Sequence, residues 1–272
     1  MKIFTFHAGL GNQIFQYVYY LYLRRKYPNE TFYGFYPERA LRGHNGLEIQ
    51  KWFDVSLPPS THASNAIAKS LFWINKLFWK MQKPHPLTDT DLFRRPNALF
   101  YYGYWQDKQY FLEVGAPRFH TDLILGEDNE RLLQQINTSN SVTVHVRRGD
   151  YLSSKARHIY GDICTLDYYQ RAINTICEKV DNPVFFFFSD DTKYVEEKFK
   201  DVNKVIVNCN KDERSFFDLY LMAHCKHMII ANSTFSTWAA YLNKNNPIVV
   251  CPAKFLNNCP SPPIIFDEWI KL

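Results

Sequence analysis

Residues 144–151, Val-His-Val-Arg-Arg-Gly-Asp-Tyr, run a β-branched strand straight into two adjacent guanidinium groups, a glycine and a carboxylate. A strand end with fixed positive charge beside a flexible turn can bind an anion. Guanidinium forks match phosphate oxygens two bonds at a time and stay charged at any physiological pH. Arg147 and Arg148 are therefore candidate phosphate ligands, with His145 and Asp150 the proton-transfer candidates beside them. The plain alternative is a structural salt bridge of Arg148 with Asp150. An aspartate so paired has a lowered pKa and is a feeble base, so Asp150 is expected to orient the arginines rather than take a proton.

Other polar runs compete for attention. Residues 185–191, Phe-Phe-Phe-Phe-Ser-Asp-Asp, read as a strand ending in two carboxylates; adjacent side chains diverge, so a shared metal is not expected at Asp190 and Asp191. Asp89-Thr90-Asp91 has a metal-binding D-x-D spacing but follows Lys83-Pro84-His85-Pro86, which is no strand, so a cap or solvated loop is expected. No metal and no other cofactor is anticipated. Residues 232–238, Asn-Ser-Thr-Phe-Ser-Thr-Trp, put hydroxyls and backbone N–H groups at the positive end of a helix, for ligand binding or for ordinary N-capping. Gly9-Leu10-Gly11 follows a strand like a dinucleotide turn, but Ile14 takes the place of the third glycine, which disfavours a dehydrogenase.

These runs need a scaffold. Strand patterns at 141–146, 184–188, 204–207, 227–231 and 248–251 alternate with helical patterns at 166–180, 193–199, 215–225 and 237–243. That alternation predicts an α/β fold with a parallel, doubly wound sheet, whose ligands bind at the carboxyl ends of the strands. A second β-loop-α unit opens the chain with a strand over 3–6. The boundary between a first lobe, 1–130, and a second lobe, 131–272, is expected within residues 118–140, where Glu127, Asp128, Asn129 and Glu130 interrupt the apolar pattern.

The 144–151 run resembles the His-x-Arg-Arg-x-Asp motif of the GDP-fucose-dependent fucosyltransferase superfamily, and residues 9–13 resemble its G-x-G-N-Q element. Residues 44–49 and 103–111 are similar to segments of bacterial α-1,2-fucosyltransferases of glycosyltransferase family eleven, and the 233–238 run is similar to that superfamily's diphosphate-holding segment. The resemblance implies a GT-B type fold, two Rossmann-like lobes with the nucleotide-sugar site in the cleft. It further implies an inverting galactoside 2-α-L-fucosyltransferase with GDP-fucose as co-substrate. On it, Arg147 grips the β-phosphate; Gly11, Asn12, Arg148, Asp190, Ser233, Thr234, Phe235 and Ser236 hold the donor, with Asp190 on guanine or ribose. His44, Asn45, Glu48, Tyr104, Trp105 and Gln106 face the acceptor, with Tyr104 and Trp105 as a stacking surface. A transferase forming α-1,6 or protein-linked fucose would share the donor motifs.

Composition narrows the classes. A net charge of +5 is too dilute to indicate a nucleic-acid binder, which leaves a single-stranded RNA-binding module as a distant alternative. The aromatic share, 17%, suits either a sugar-stacking groove or aromatic-rich packing. Six cysteines without C-x-x-C spacing read as free thiols in a reducing compartment. With an N-terminus that looks like a core strand, no signal peptide and no apolar stretch of membrane-spanning length, a cytoplasmic location is expected. Residues 66–83 form a helical pattern with Lys69, Lys76, Lys80 and Lys83 on one face, flanked by Phe72, Trp73 and Trp79, and with Ile67, Leu71, Ile74, Leu77, Phe78 and Met81 opposite. Burial of that apolar side with a solvated lysine stripe is the preferred reading. Peripheral contact with the cytoplasmic membrane face, useful for a lipid-linked acceptor, is the alternative.

Overall fold

The opening apolar run forms the central strand of a small parallel sheet. In the computed structural model, which describes residues 1–42, 44–154 and 156–272, the chain divides into two units, 1–123 and 124–272. The first contains β1 (Lys2–Thr5), α1 (Leu10–Lys26), β2 (Phe32–Phe35), α2 (Glu38–Leu41), α3 (Ile49–Trp52), α4 (His62–Lys80), β3 (Thr88–Asp89), β4 (Phe100–Tyr101) and α5 (Lys108–Val114). Its strands are ordered β2-β1-β4-β3 and run parallel. From β1 the chain extends first to one side and then to the other, so a topological switch point lies between β1 and β4.

Much of the aromatic content goes into this unit's interior. Phe4 lies 5.2 Å from Phe6, and Trp105 stacks at 4.3 Å on Tyr19. Tilted and offset rings of this kind fill volume efficiently and add modest pairwise stabilisation. Helix α4 starts at a Thr61–Ser64 capping box and lays Ala68 and Leu71 on the sheet beside Ile3, Phe35 and Phe100. Only that narrow stripe is covered. Contrary to the preferred reading, Ile67, Trp73, Ile74, Leu77 and Met81 are exposed, because a helix lying on one sheet face can bury only the side turned towards it.

The second unit contains α6 (Glu127–Thr138), β5 (Asn140–Val146), a 3-10 turn (Asp150–Leu152), α7 (Arg157–Tyr160), α8 (Leu166–Cys177), β6 (Pro183–Ser189), α9 (Thr192–Lys198), β7 (Lys204–Val207), a 3-10 turn (Asp212–Ser215), α10 (Phe216–His224), β8 (His227–Ile229), α11 (Thr234–Leu242), β9 (Val249–Cys251) and β10 (Ile270–Lys271). All six strands are parallel in the order β10-β9-β8-β5-β6-β7. Phe185 to Phe188 of β6 are buried on both faces, the requirement for an inner strand covered by helices on each side. The chain winds from β5 out to β7, then returns to β8 and out to β10, which is the doubly wound dinucleotide-fold order with its switch point between β5 and β8.

The division falls after Leu123 rather than at 130/131. Helix α6 belongs wholly to the second unit: Ile136 is buried, and Asn129 exchanges hydrogen bonds of 3.1 and 2.8 Å with Asn210. Asn210 also donates to Asp218 at 2.9 Å, and burial pushes the Asp218 carboxyl up to about 7. Below its ordinary value of 3.8 both folded and unfolded chains hold the proton. As pH rises from there the unfolded chain releases it first, so stability falls until the pH passes about 7. Asp218→Asn keeps the acceptor oxygen and removes the charge. It is expected to be more stable than the parent at pH 8, by up to about 4 kcal/mol, and equally stable near pH 4, measured as thermal midpoints at the two pH values.

Candidate functional site

In the second unit, three adjacent strands deliver three loops to one sheet edge. Val146 pairs in register with Ser189, so Arg147 and Asp190 each follow the last residue of a neighbouring strand. Arg147 donates to Asp150 at 2.7 Å and to Asp190 at 2.9 Å. The backbone N–H of Arg148 donates to Asp190 at 3.0 Å, its Nε donates to Asp191 at 3.0 Å, and its guanidinium lies 3.7 Å over the Tyr194 ring. Asp191 also caps α9 through the Tyr194 N–H. Gly149 permits this clustering, since a Cβ there would sit 2.8 Å from an Asp190 oxygen.

One expectation changes here. Asp150 pairs with Arg147 and not with Arg148, because the 3-10 turn beginning right after Gly149 swings Asp150 back over Arg147 while Asp191 takes Arg148. Asp190 brackets the arginines from the neighbouring strand, each of its oxygens accepting one bond from them. Three carboxylates around two guanidiniums leave the cluster with a net negative charge. Arg147 and Asp150 are 37% and 60% exposed, and surface pairs of that kind are worth only about 0–1 kcal/mol. An incoming phosphate can therefore displace the Asp150 carboxylate from Arg147 at little cost.

His145 is buried under this cluster. Desolvation, helped by the Arg147 charge, pushes its pKa down to about 4, and its Nδ1 has no hydrogen-bond partner among the described residues. A neutral imidazole with so low a pKa is a poor general base near pH 7. Its ring lies 6.1 Å from Phe235, across the switch point.

On the β8 side, Ser233 caps α11 by accepting from the Phe235 N–H at 3.3 Å. Ser236 departs from expectation: it is fully buried, and its hydroxyl turns back to the Ala231 and Ser233 carbonyls, so its side chain does not present itself to a ligand. Thr234 and Phe235 are half-buried and remain at the edge. Asn232 emerges as the organiser of the loop. Its amide donates to the Tyr160 and Phe255 carbonyls, its side-chain oxygen accepts from the Cys164 thiol, and its carbonyl accepts from the Tyr151 hydroxyl at 3.0 Å. Its position in the polar run was visible in the sequence, but a four-way junction of distant segments was not. Tyr194 carried no sequence signal.

The first unit has its own cluster at the β1/β4 switch point. His7 stacks on Tyr102 at 4.7 Å, and burial pushes its pKa down to about 4. Gln13, fully buried, donates to the Ala8 and Gly46 carbonyls and accepts from the Glu48 and Ile49 N–H groups. Gln16 likewise ties His7 to the Gly103 carbonyl. Asn12 is half-buried and accepts from Gln106 at 2.8 Å, while Gly11 is buried in the first turn of α1. His44 lies over Gly9, where a Cβ would come 3.2 Å from the imidazole. Asn45 donates to a buried Glu48.

Trp105 cannot act as an acceptor platform. It is 1% exposed, packed against both Tyr19 and the Arg94 guanidinium, whereas Tyr104 beside it is 43% exposed. Nor is Asp89 a solvated loop residue: it ends β3, is buried, and accepts from Arg94, Tyr19 and the Arg95 N–H. Asp91 accepts from the Tyr104 and Trp105 N–H groups at 2.6 and 2.9 Å and so shapes that loop. Among the described residues, no group of three or more His, Cys, Asp or Glu side chains could hold a metal ion.

The second unit is thus an α/β sheet of the dinucleotide type with paired arginines at its switch point. Among solved structures, the chain is similar to fucosyltransferase NodZ from Bradyrhizobium, with a TM-score of 0.51 and 11% identity over 87% of this chain and 90% of that one. That likeness shows the fold, the GT-B type built from two Rossmann-like units. The family described as Glycosyl transferase family 11 matches residues 10–269, and the chain belongs to it. It is 32% identical to an alpha-1,2-colitosyltransferase of Escherichia coli, covering 97% of this chain and 96% of the relative. It is also 28% identical to the O-antigen biosynthesis glycosyltransferase WbnK of Escherichia coli, covering 97% and 98%.

Proposed function

We propose that this glycosyltransferase moves L-fucose from GDP-fucose to the 2-hydroxyl of a terminal β-galactoside, with inversion and without a metal. The observation that carries the reading is the Arg147–Arg148 pair at the β5/β8 switch point in a chain of which 97% aligns with an alpha-1,2-colitosyltransferase. Negative charge grows on the β-phosphate as the sugar becomes oxocarbenium-like, and preorganised donors that meet that charge lower the barrier. Arg147 takes this role by exchanging Asp150 for phosphate oxygens. Arg148, fixed by Asp191 and Tyr194, holds the loop, and the N–H groups opening α11 supply further donors. Phe235 offers a face for the nucleoside and Tyr104 one for the acceptor sugar. With His145 neutral and weakly basic and Asp150 on the leaving-group side, departure of the diphosphate drives the reaction more than deprotonation of the acceptor does. The six free cysteines support a cytoplasmic setting. Among the described residues no helix is long and apolar enough to cross a membrane, and an acceptor glycan carried on a lipid would be met at a membrane surface.

The test is incubation of the purified protein with GDP-fucose and a panel of β-galactosides in the presence of EDTA, with linkage analysis of the product. The expected result is an α-1,2-linked fucoside, formed without added metal and absent with 2-deoxygalactosides. An α-1,6 or peptide-linked product, or activity abolished by EDTA and restored by one divalent ion, would refute the reading. A colitosyl donor belongs in the same panel because of the 32% identical relative.

A further inference from the structure

We propose that α4 docks the protein on an anionic lipid surface by lying in the plane of the interface. The helix has three distinct faces. Ser64, Ala68, Leu71 and Asn75 are buried towards the sheet. Ile67, Ile74, Leu77 and Met81, spaced at seven, three and four residues, form an outward apolar stripe with Trp73 beside it, and Trp73 and Leu77 are 63% and 59% exposed. Lys69, Lys76 and Lys80 occupy the remaining edge, and the Lys76 ammonium lies 4.8 and 4.6 Å over the Phe72 and Trp73 rings.

Surface helices of globular proteins expose scattered apolar residues, not a contiguous stripe led by tryptophan. A stripe bordered by flexible ammonium stems suits the acyl–headgroup boundary, where apolar side chains enter, tryptophan rests at the interface and lysines reach anionic headgroups. Charge decides the occupant. No aspartate or glutamate occurs anywhere between Asp54 and Asp89, so the lysines have no carboxylate on this segment to answer them. A second copy of α4 would bring the same lysines and no acid, whereas an anionic leaflet satisfies them all.

This inference does not rest on the proposed donor or acceptor, and a soluble β-galactoside assay keeps the two separate. The full chain is mixed with vesicles of phosphatidylglycerol and phosphatidylcholine in equal parts, or of phosphatidylcholine alone, and sedimented. Binding to the anionic vesicles is expected, with loss at high salt. Trp73→Glu with Leu77→Glu, and separately Lys69→Glu, Lys76→Glu and Lys80→Glu together, should each weaken partition by roughly tenfold or more while leaving the parent's circular dichroism spectrum and rate on the soluble acceptor unchanged. The proposal is overturned by absence of sedimentation at low salt, by binding that both sets of substitutions leave intact, or by a dimer in light scattering that Trp73→Glu with Leu77→Glu dissociates.

Discussion

Arg147→Ala is expected to lower kcat for fucosyl transfer by about a hundredfold or more, the scale of removing one preorganised donor worth roughly 3 kcal/mol. The donor KM should rise as well. Once Arg147 is gone, Asp150 and Asp190 lose the cation between them, and the cluster repels the diphosphate more strongly. Pairing Arg147→Ala with Asp150→Asn separates the two effects: donor affinity should partly recover while kcat does not. Arg147→Lys should restore little, because an ammonium cannot reproduce the two-bond fork. Arg157→Ala, which removes an exposed partner of Asp162, is the matched control and should leave turnover unchanged. Near-normal turnover of folded Arg147→Ala would remove the phosphate assignment.

Gln13→Leu is expected to be the most destabilising single change near the first unit's cluster. The leucine preserves volume, but the half-buried Ala8 and Gly46 carbonyls and the buried Glu48 and Ile49 N–H groups lose their shared partner. Each stranded buried group costs about 1–3 kcal/mol, and the four are not additive, so a net loss of roughly 4 kcal/mol is anticipated. At about 2–4 °C per kcal/mol for a unit of this order of size, the thermal midpoint should fall by about 10 °C. Asn12→Ala, which removes one half-buried acceptor of Gln106, should shift it by only a few degrees, at about 1 kcal/mol. Equal midpoints for the two variants, measured by calorimetry, would mean that Gln13 does not tie the 8–9 and 46–49 loops together.

The alternation of apolar runs and polar loops was enough to establish the second unit. Strand-period and helix-period patterns differ locally, and a chain that repeats them with short connections has one economical solution, the parallel doubly wound sheet. It also placed Arg147, Asp190 and Ser233 at strand ends, because pattern boundaries are local. Their pairing across strands is not local. That Arg147 reaches Asp190 and Arg148 goes to Asp191 depends on the register of β5 with β6, while the 3-10 turn after Gly149 decides that Asp150 turns to Arg147. Burial escaped the sequence for the same reason. Trp105 and Tyr104 are neighbours with equal claim to stack on a sugar, and only the packing of Tyr19 and Arg94 around Trp105 separates them. Residues 66–83 declared an amphipathic helix by spacing alone. Which of its sides the sheet would cover was decided by how much of a cylinder one flat layer can reach, and that left the stripe from Ile67 to Met81 in solvent.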